Sequence, residues 1–215
     1  MNPFRILTDG VTDGNVYKRI GWMYITFFGI FLPTVIASYY LLPEGILRGK
    51  HPIISQLEFS SDLLILTLQI FGYNLLLMIL IIAANLIAQQ SRIAREKFVP
   101  IGYTAFWVVT LLLAVYTGTW SFEVVTAAPP LQDRLVRVFD ILHHSGLVEI
   151  SAYILAAVTS YKFTLWYSDG RRVIRSRRRE DIKLDRSEKV FLVLAFVLLF
   201  CGAIIESYGI VQFVG

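Results

Sequence analysis

The chain has 215 residues, of which 56% are apolar and 17% charged, with a formal net charge of +4. A soluble globular domain carries about a quarter charged residues. Here the apolar excess sits in runs of roughly twenty, the length that crosses about 30 Å of hydrocarbon as a helix. That pattern excludes an ordinary soluble domain. It also excludes a β-barrel, whose strands would alternate over segments of about ten residues.

Backbone groups in lipid must be paired within their own segment, so the runs are expected to be helices. The first 19 residues are polar and carry Arg5, Asp9, Asp13, Lys18 and Arg19. The apolar run that follows is too long for a signal h-region and has no convincing small-x-small cleavage site, so it is expected to remain as a span. Span one covers about 20–42 and stops before Pro43. Span two covers about 63–89, after the polar Ser60-Ser61-Asp62. Span three covers about 100–122, with Pro100 suited to a first helical turn. After Pro129 and Pro130, Leu131, Leu135, Val138, Phe139 and Leu142 recur at a spacing of three or four, with Asp133, Arg134, Arg137 and Asp140 on other faces. That spacing predicts a short helix lying on the membrane surface or capping the bundle. Span four covers about 147–167 and span five about 189–213. The expected fold class is all-α: a polytopic membrane helix bundle of about five transmembrane helices with one short interfacial helix, forming a single membrane domain over 1–215. No internal repeat of the inverted-transporter kind is visible.

The Lys and Arg residues divide unevenly between the two sets of loops. The segments before span one, between two and three, and between four and five hold 3, 3 and 9 of them. The other loops hold 4, namely Arg48, Lys50, Arg134 and Arg137, and Lys162 falls inside span four. A split of 15 to 4 is a strong positive-inside signal. It predicts a multi-pass plasma-membrane protein with a cytoplasmic N-terminus and an outer C-terminus. The net charge therefore follows membrane rules and points to no nucleic acid.

Of the 16 acidic residues, Glu149 and Glu206 alone lie clearly within spans. An ionised carboxylate is costly there unless paired or protonated, so each needs an explanation. Span four runs inward and span five outward. Glu149 therefore lies within a turn of the outer end, and Glu206 about 10 Å from it by helical rise. If the two spans pack together, the carboxyls could share a proton or a cation, or contact a partner helix. The plainer alternative is a hydrogen-bonded Glu that glues two helices together. Asn74, near the middle of span two, poses the same choice. His143 and His144 precede Glu149 by six and five residues, an offset that does not put them on one helical face, and a metal site would need more donors. No metal or cofactor is expected, and the single cysteine, Cys201, can form no intrachain disulfide. His144 remains a candidate partner for the glutamates. In the loop before span five, Arg171, Arg172, Arg175, Arg177, Arg178 and Arg179 form a basic run of the kind that binds anionic lipid headgroups or a cytoplasmic partner.

The chain shows no Walker-type phosphate loop, no Gly-x-Ser-x-Gly and no His-Glu-x-x-His. Two segments do carry a resemblance. Gly146-Leu147-Val148-Glu149-Ile150-Ser151-Ala152 resembles the His-Gly-x-x-Glu-Ile-x-Ala signature of the stage II sporulation protein M family. Ala203-Ile204-Ile205-Glu206-Ser207-Tyr208 resembles that family's terminal Ala-x-Ile-Glu-aromatic pattern, and an arginine-rich inner loop lies between them. The family histidine falls at Ser145 here, with His144 one residue before it. Over spans one to three the likeness is one of layout, with Asn74 near a position where the family often carries asparagine. The resemblance implies a multi-pass protein working in a membrane complex; the family name refers to a cell-wall remodelling assembly in spore formers. The leading expectation is therefore a non-enzymatic membrane subunit or scaffold. Its partners would be the bilayer, anionic headgroups, and other membrane subunits or further copies of itself. The alternatives are a transport component, such as the membrane part of an ATP-driven exporter, using Glu149, Glu206 and Asn74, or an intramembrane enzyme with a Glu–His site.

Overall fold

Polar caps mark where the apolar runs become helices. The computed structural model describes residues 2–49, 60–122, 128–141 and 145–214. Asn2 accepts from Phe4 N and opens α1, Pro3–Val11. Asn15 accepts from Tyr17 N and Lys18 N and opens α2, Val16–Leu41. Asp62 accepts from Ile65 N and opens α3, Leu63–Ala84. Such caps satisfy amide donors that have no partner within the helix. Pro100 takes the N-cap position of α4, Ile101–Gly118, rather than its first turn. Next come α5, Leu131–Ile141, α6, Gly146–Thr159, and α7, Arg186–Val214.

The helical bundle expected from the sequence is the architecture observed, with α5 where the short helix was predicted. Four helices, α2, α3, α4 and α7, are long and apolar enough to cross a membrane. The helix at the expected fourth span is shorter than drawn. α6 has 14 residues, about 21 Å by helical rise, and a 3-10 turn, Ser160–Phe163, continues it. α6 is the central element: it touches α2, α3, α4, α5 and α7. Ile150 and every residue from Ala152 to Thr159 are buried. Helix α1, in a stretch read as merely polar, packs on α2.

The ends of the second and fourth expected spans are not helical. They form a small sheet of four strands in the order β2-β1-β3-β4. β1 is Ile87–Gln90, β2 Phe98–Pro100, β3 Trp166–Ser168 and β4 Val173–Ser176. β1 pairs antiparallel with β2 and parallel with β3, and β3 pairs antiparallel with β4. The physical reason lies at Asn85. Its Nδ2 donates to Ala157 O at 2.8 Å and Ser160 Oγ at 2.7 Å, which holds the C-terminus of α3 against that of α6. Thr164 Oγ1 donates to Asn85 O at 2.9 Å, and Leu165 N to Leu86 O at 2.8 Å. Pairing between two distant loops outweighs the apolar character that favoured helix there.

The sheet gathers the basic segments at one end of the bundle. Arg5 of α1 reaches Glu96 in the β1–β2 connection, Nη2 to Oε1 3.0 Å. At the opposite end, Gly45 N donates to Thr119 O at 2.7 Å and Leu47 N to Ser121 Oγ at 3.2 Å. Arg134, assigned from sequence to a polar face of α5, is 5% exposed. Its Nε donates to Pro129 O at 2.7 Å and its Nη1 to Gly118 O at 2.5 Å, and its guanidinium lies 4.7 Å over the Tyr39 ring. Two carbonyls and an aromatic face replace the water that the sequence pattern implied.

Candidate functional site

Glu149 lies in the first turn of α6 and Glu206 toward the end of α7. The two helices meet closely because Gly202 lacks a side chain: a Cβ there would stand 2.8 Å from Glu149 Cγ. Glu206 follows Gly202 by one turn, on the same face of α7. The carboxyls of Glu149 and Glu206 are in hydrogen-bonding contact. From α3, Asn74 Nδ2 donates to Glu149 Oε1 at 2.9 Å. The structure thus joins three candidate residues, from three helices, into one partly buried cluster. His143 and His144 lie outside the described residues.

Further polar contacts frame the cluster. Thr67 Oγ1 and Ser207 Oγ are 2.6 Å apart, joining α3 to α7. Tyr24 OH donates to Ser151 Oγ at 2.7 Å, joining α2 to α6. A carboxyl–carboxyl hydrogen bond requires one proton between the pair, because two carboxylates are both acceptors. The arrangement can hold a proton or a small cation, and it contains no activated nucleophile. Among the described residues no group of three or more His, Cys, Asp and Glu could hold a metal ion.

The arginine candidates lie at the sheet end. All four residues of β4, including Arg175, are exposed, as are Arg171, Arg172, Arg178 and Arg179; Arg177 is half-buried. Asp169 shapes the β3–β4 turn by accepting from Arg171 N at 2.8 Å and Arg172 N at 2.9 Å. These backbone donors hold its carboxyl below the usual carboxylate range. Arg175 lies 5.4 Å over the Tyr167 ring. The basic run is thus the outward edge of an ordered sheet.

The sequence reading missed a second buried network. Arg19 and Glu188 are 0% and 1% exposed, and Arg19 Nη2 lies 2.7 Å from Glu188 Oε1. Lys162 Nζ reaches Glu188 Oε2 at 2.9 Å and Asp185 Oδ2 at 2.7 Å. The network ties the start of α2 to the turn after α6 and to the start of α7. A signal for it exists. Arg19, Met23, Phe27, Phe31 and Val35 recur at a spacing of four, and all are buried, so Arg19 continues an apolar stripe. Glu188 likewise precedes Ala195, Leu199 and Ala203, all fully buried, by helical spacing.

A family model described as Stage II sporulation protein M matches residues 24–209. No curated protein and no solved structure matches the chain. The matched segment contains Asn74, Glu149, Gly202, Glu206 and the entire sheet, and it covers well over half of the sequence. The chain therefore belongs to the stage II sporulation protein M family.

Proposed function

We propose that the chain is a non-enzymatic, multi-pass subunit of a plasma-membrane complex that engages its partner through the arginine-rich edge of the sheet. The observation that carries this reading is the construction of that edge. Two loops far apart in sequence combine into one sheet, and its outer strand β4 leaves all four residues exposed. An edge strand offers unpaired backbone groups as well as side chains to a binding segment. The arginines around it add attraction for acidic protein surfaces and for anionic headgroups.

In this reading the sheet end faces the cytoplasm, because 15 of the 20 Lys and Arg residues belong to its segments. The N-terminus is then inside and the C-terminus outside, with α6 as a fifth crossing element enclosed by the other helices. The test is purification of the full chain from its native membrane in mild detergent, followed by native mass spectrometry. The expected result is a stoichiometric partner or a defined oligomer that dissociates when Arg171, Arg172, Arg175 and Arg177 to Arg179 are replaced by Gln. A monodisperse monomer that is active alone overturns the reading.

A further inference from the structure

Two carboxyl groups in contact inside an apolar bundle need positive charge between them. Among the described residues no Lys or Arg acts on either carboxyl. The groups on the surrounding elements are specific. α3 presents the neutral Asn74, whose amide donates to Glu149. α2 presents Tyr24, whose hydroxyl is committed to Ser151. On α5, Arg134 is committed to the carbonyls of Pro129 and Gly118. α7 presents Glu206 itself.

α6 itself adds Tyr153, which follows Glu149 by one turn, is 7% exposed and lies close enough to feel the charge of both glutamates. With one proton on the pair, the carboxyls bond to each other and Asn74 satisfies the remaining oxygen of Glu149. With the proton gone, two acceptors face each other and neither can donate.

We propose that Glu149 and Glu206 form a proton-binding site, with one proton shared between the two carboxyls. Uptake forms one O–H bond at a carboxylate, taking the proton from a hydronium ion and leaving water. Release reverses this, and no electrons are transferred. Loading clasps α6 to α7 across Gly202; emptying places two like charges at the same contact. The site therefore couples proton occupancy to the packing of the central helix. This inference does not depend on the docking role of the sheet.

The test is infrared spectroscopy of the full chain in lipid nanodiscs, in buffer free of sodium and potassium. At about pH 7, where ordinary carboxylates are ionised, the unaltered protein should show the C=O stretch of a protonated carboxyl. The band should be lost in the Glu149→Gln, Glu206→Gln double variant. The proposal is overturned if the unaltered protein lacks the band at that pH, or if the band survives in the double variant. It is also overturned if sodium or potassium abolishes the band at constant pH, which would make this a cation site. Should the double variant fail to fold, the titration of the unaltered protein and its insensitivity to salt decide the matter.

Discussion

Replacing Glu188 by Leu should cost more than replacing its partner Arg19 by Met, although the two substitutions break the same ion pair. Arg19 is fully buried, and its other donors go to Asp13 O at 2.8 Å and Gly14 O at 3.1 Å. Those carbonyls accept hydrogen bonds but carry no net charge, and Arg19 Nε has no partner among the described residues. Loss of Glu188 therefore strands a buried guanidinium, which costs about 3–5 kcal/mol. Loss of Arg19 is different. Glu188 keeps Lys162 Nζ at 2.9 Å and the amide of Asp185 at 2.9 Å, so its charge stays compensated. That loss costs about 1.5–3 kcal/mol, the range for a lost hydrogen bond to a charged group. At about 2–4 °C per kcal/mol for a chain of this size, Glu188→Leu should lower the melting temperature by about 6–20 °C and Arg19→Met by about 3–12 °C. The assay is thermal unfolding of the purified full chain in one detergent, with the double variant completing the cycle. The double variant should be more stable than Glu188→Leu alone, because no buried charge is then left unpaired. Equal costs for the two single variants, or a double variant equal to their sum, would refute the reasoning.

Three further outcomes follow from individual contacts. Gly202→Ala sets a Cβ at 2.8 Å from Glu149 Cγ and should destabilise the protein by about 1–3 kcal/mol, as overpacking does; unchanged unfolding in the same detergent would show that α6 and α7 are not held this closely. Arg134→Lys cannot reproduce both the 2.7 Å bond to Pro129 O and the 2.5 Å bond to Gly118 O while stacking on Tyr39. It should cost about 1–3 kcal/mol, and a neutral result in denaturation measurements would remove Arg134 as the pin between the end of α4 and the start of α5. For Asp185, the hydrogen bond and charge of Lys162 hold the carboxyl below its usual range. Its contribution is therefore present above the ordinary carboxylate value, about pH 4, and lost as pH falls through the lower folded value. Carbon-detected NMR should find Asp185 titrating below that value and moving up toward it in Lys162→Met; no difference between the two proteins would contradict the contact.

Much of the bundle was legible because the length of an apolar run is a strong constraint. In lipid a run must satisfy its own backbone, so about twenty apolar residues name a helix before any contact is known. The start of α3 at Asp62 is equally local, whereas α2 begins at Asn15, a turn before the Ile20 at which its apolar run starts. Glu149, Glu206 and Asn74 stood out because a polar group in an apolar run is rare. Arg19, Glu188 and Arg134 did not, because polar flanks and loops are full of such residues. Arg19 became distinctive only when its spacing to Met23 and Phe27 was set against a buried face.

What the amino-acid sequence by itself determined was what each segment must do locally: cross or flank a membrane, carry charge toward one side, and start or stop a helix. Tertiary structure decided what distant segments do to one another. Asn85 and Thr164 turned the ends of two apolar runs into neighbouring strands, because pairing across 79 residues satisfied backbone groups that either run alone would have kept in a helix. Gly202 let Glu149 reach Glu206, since the missing side chain matters only where a second helix approaches. Those contacts depend on which surfaces meet, and no periodicity within a single segment encodes that.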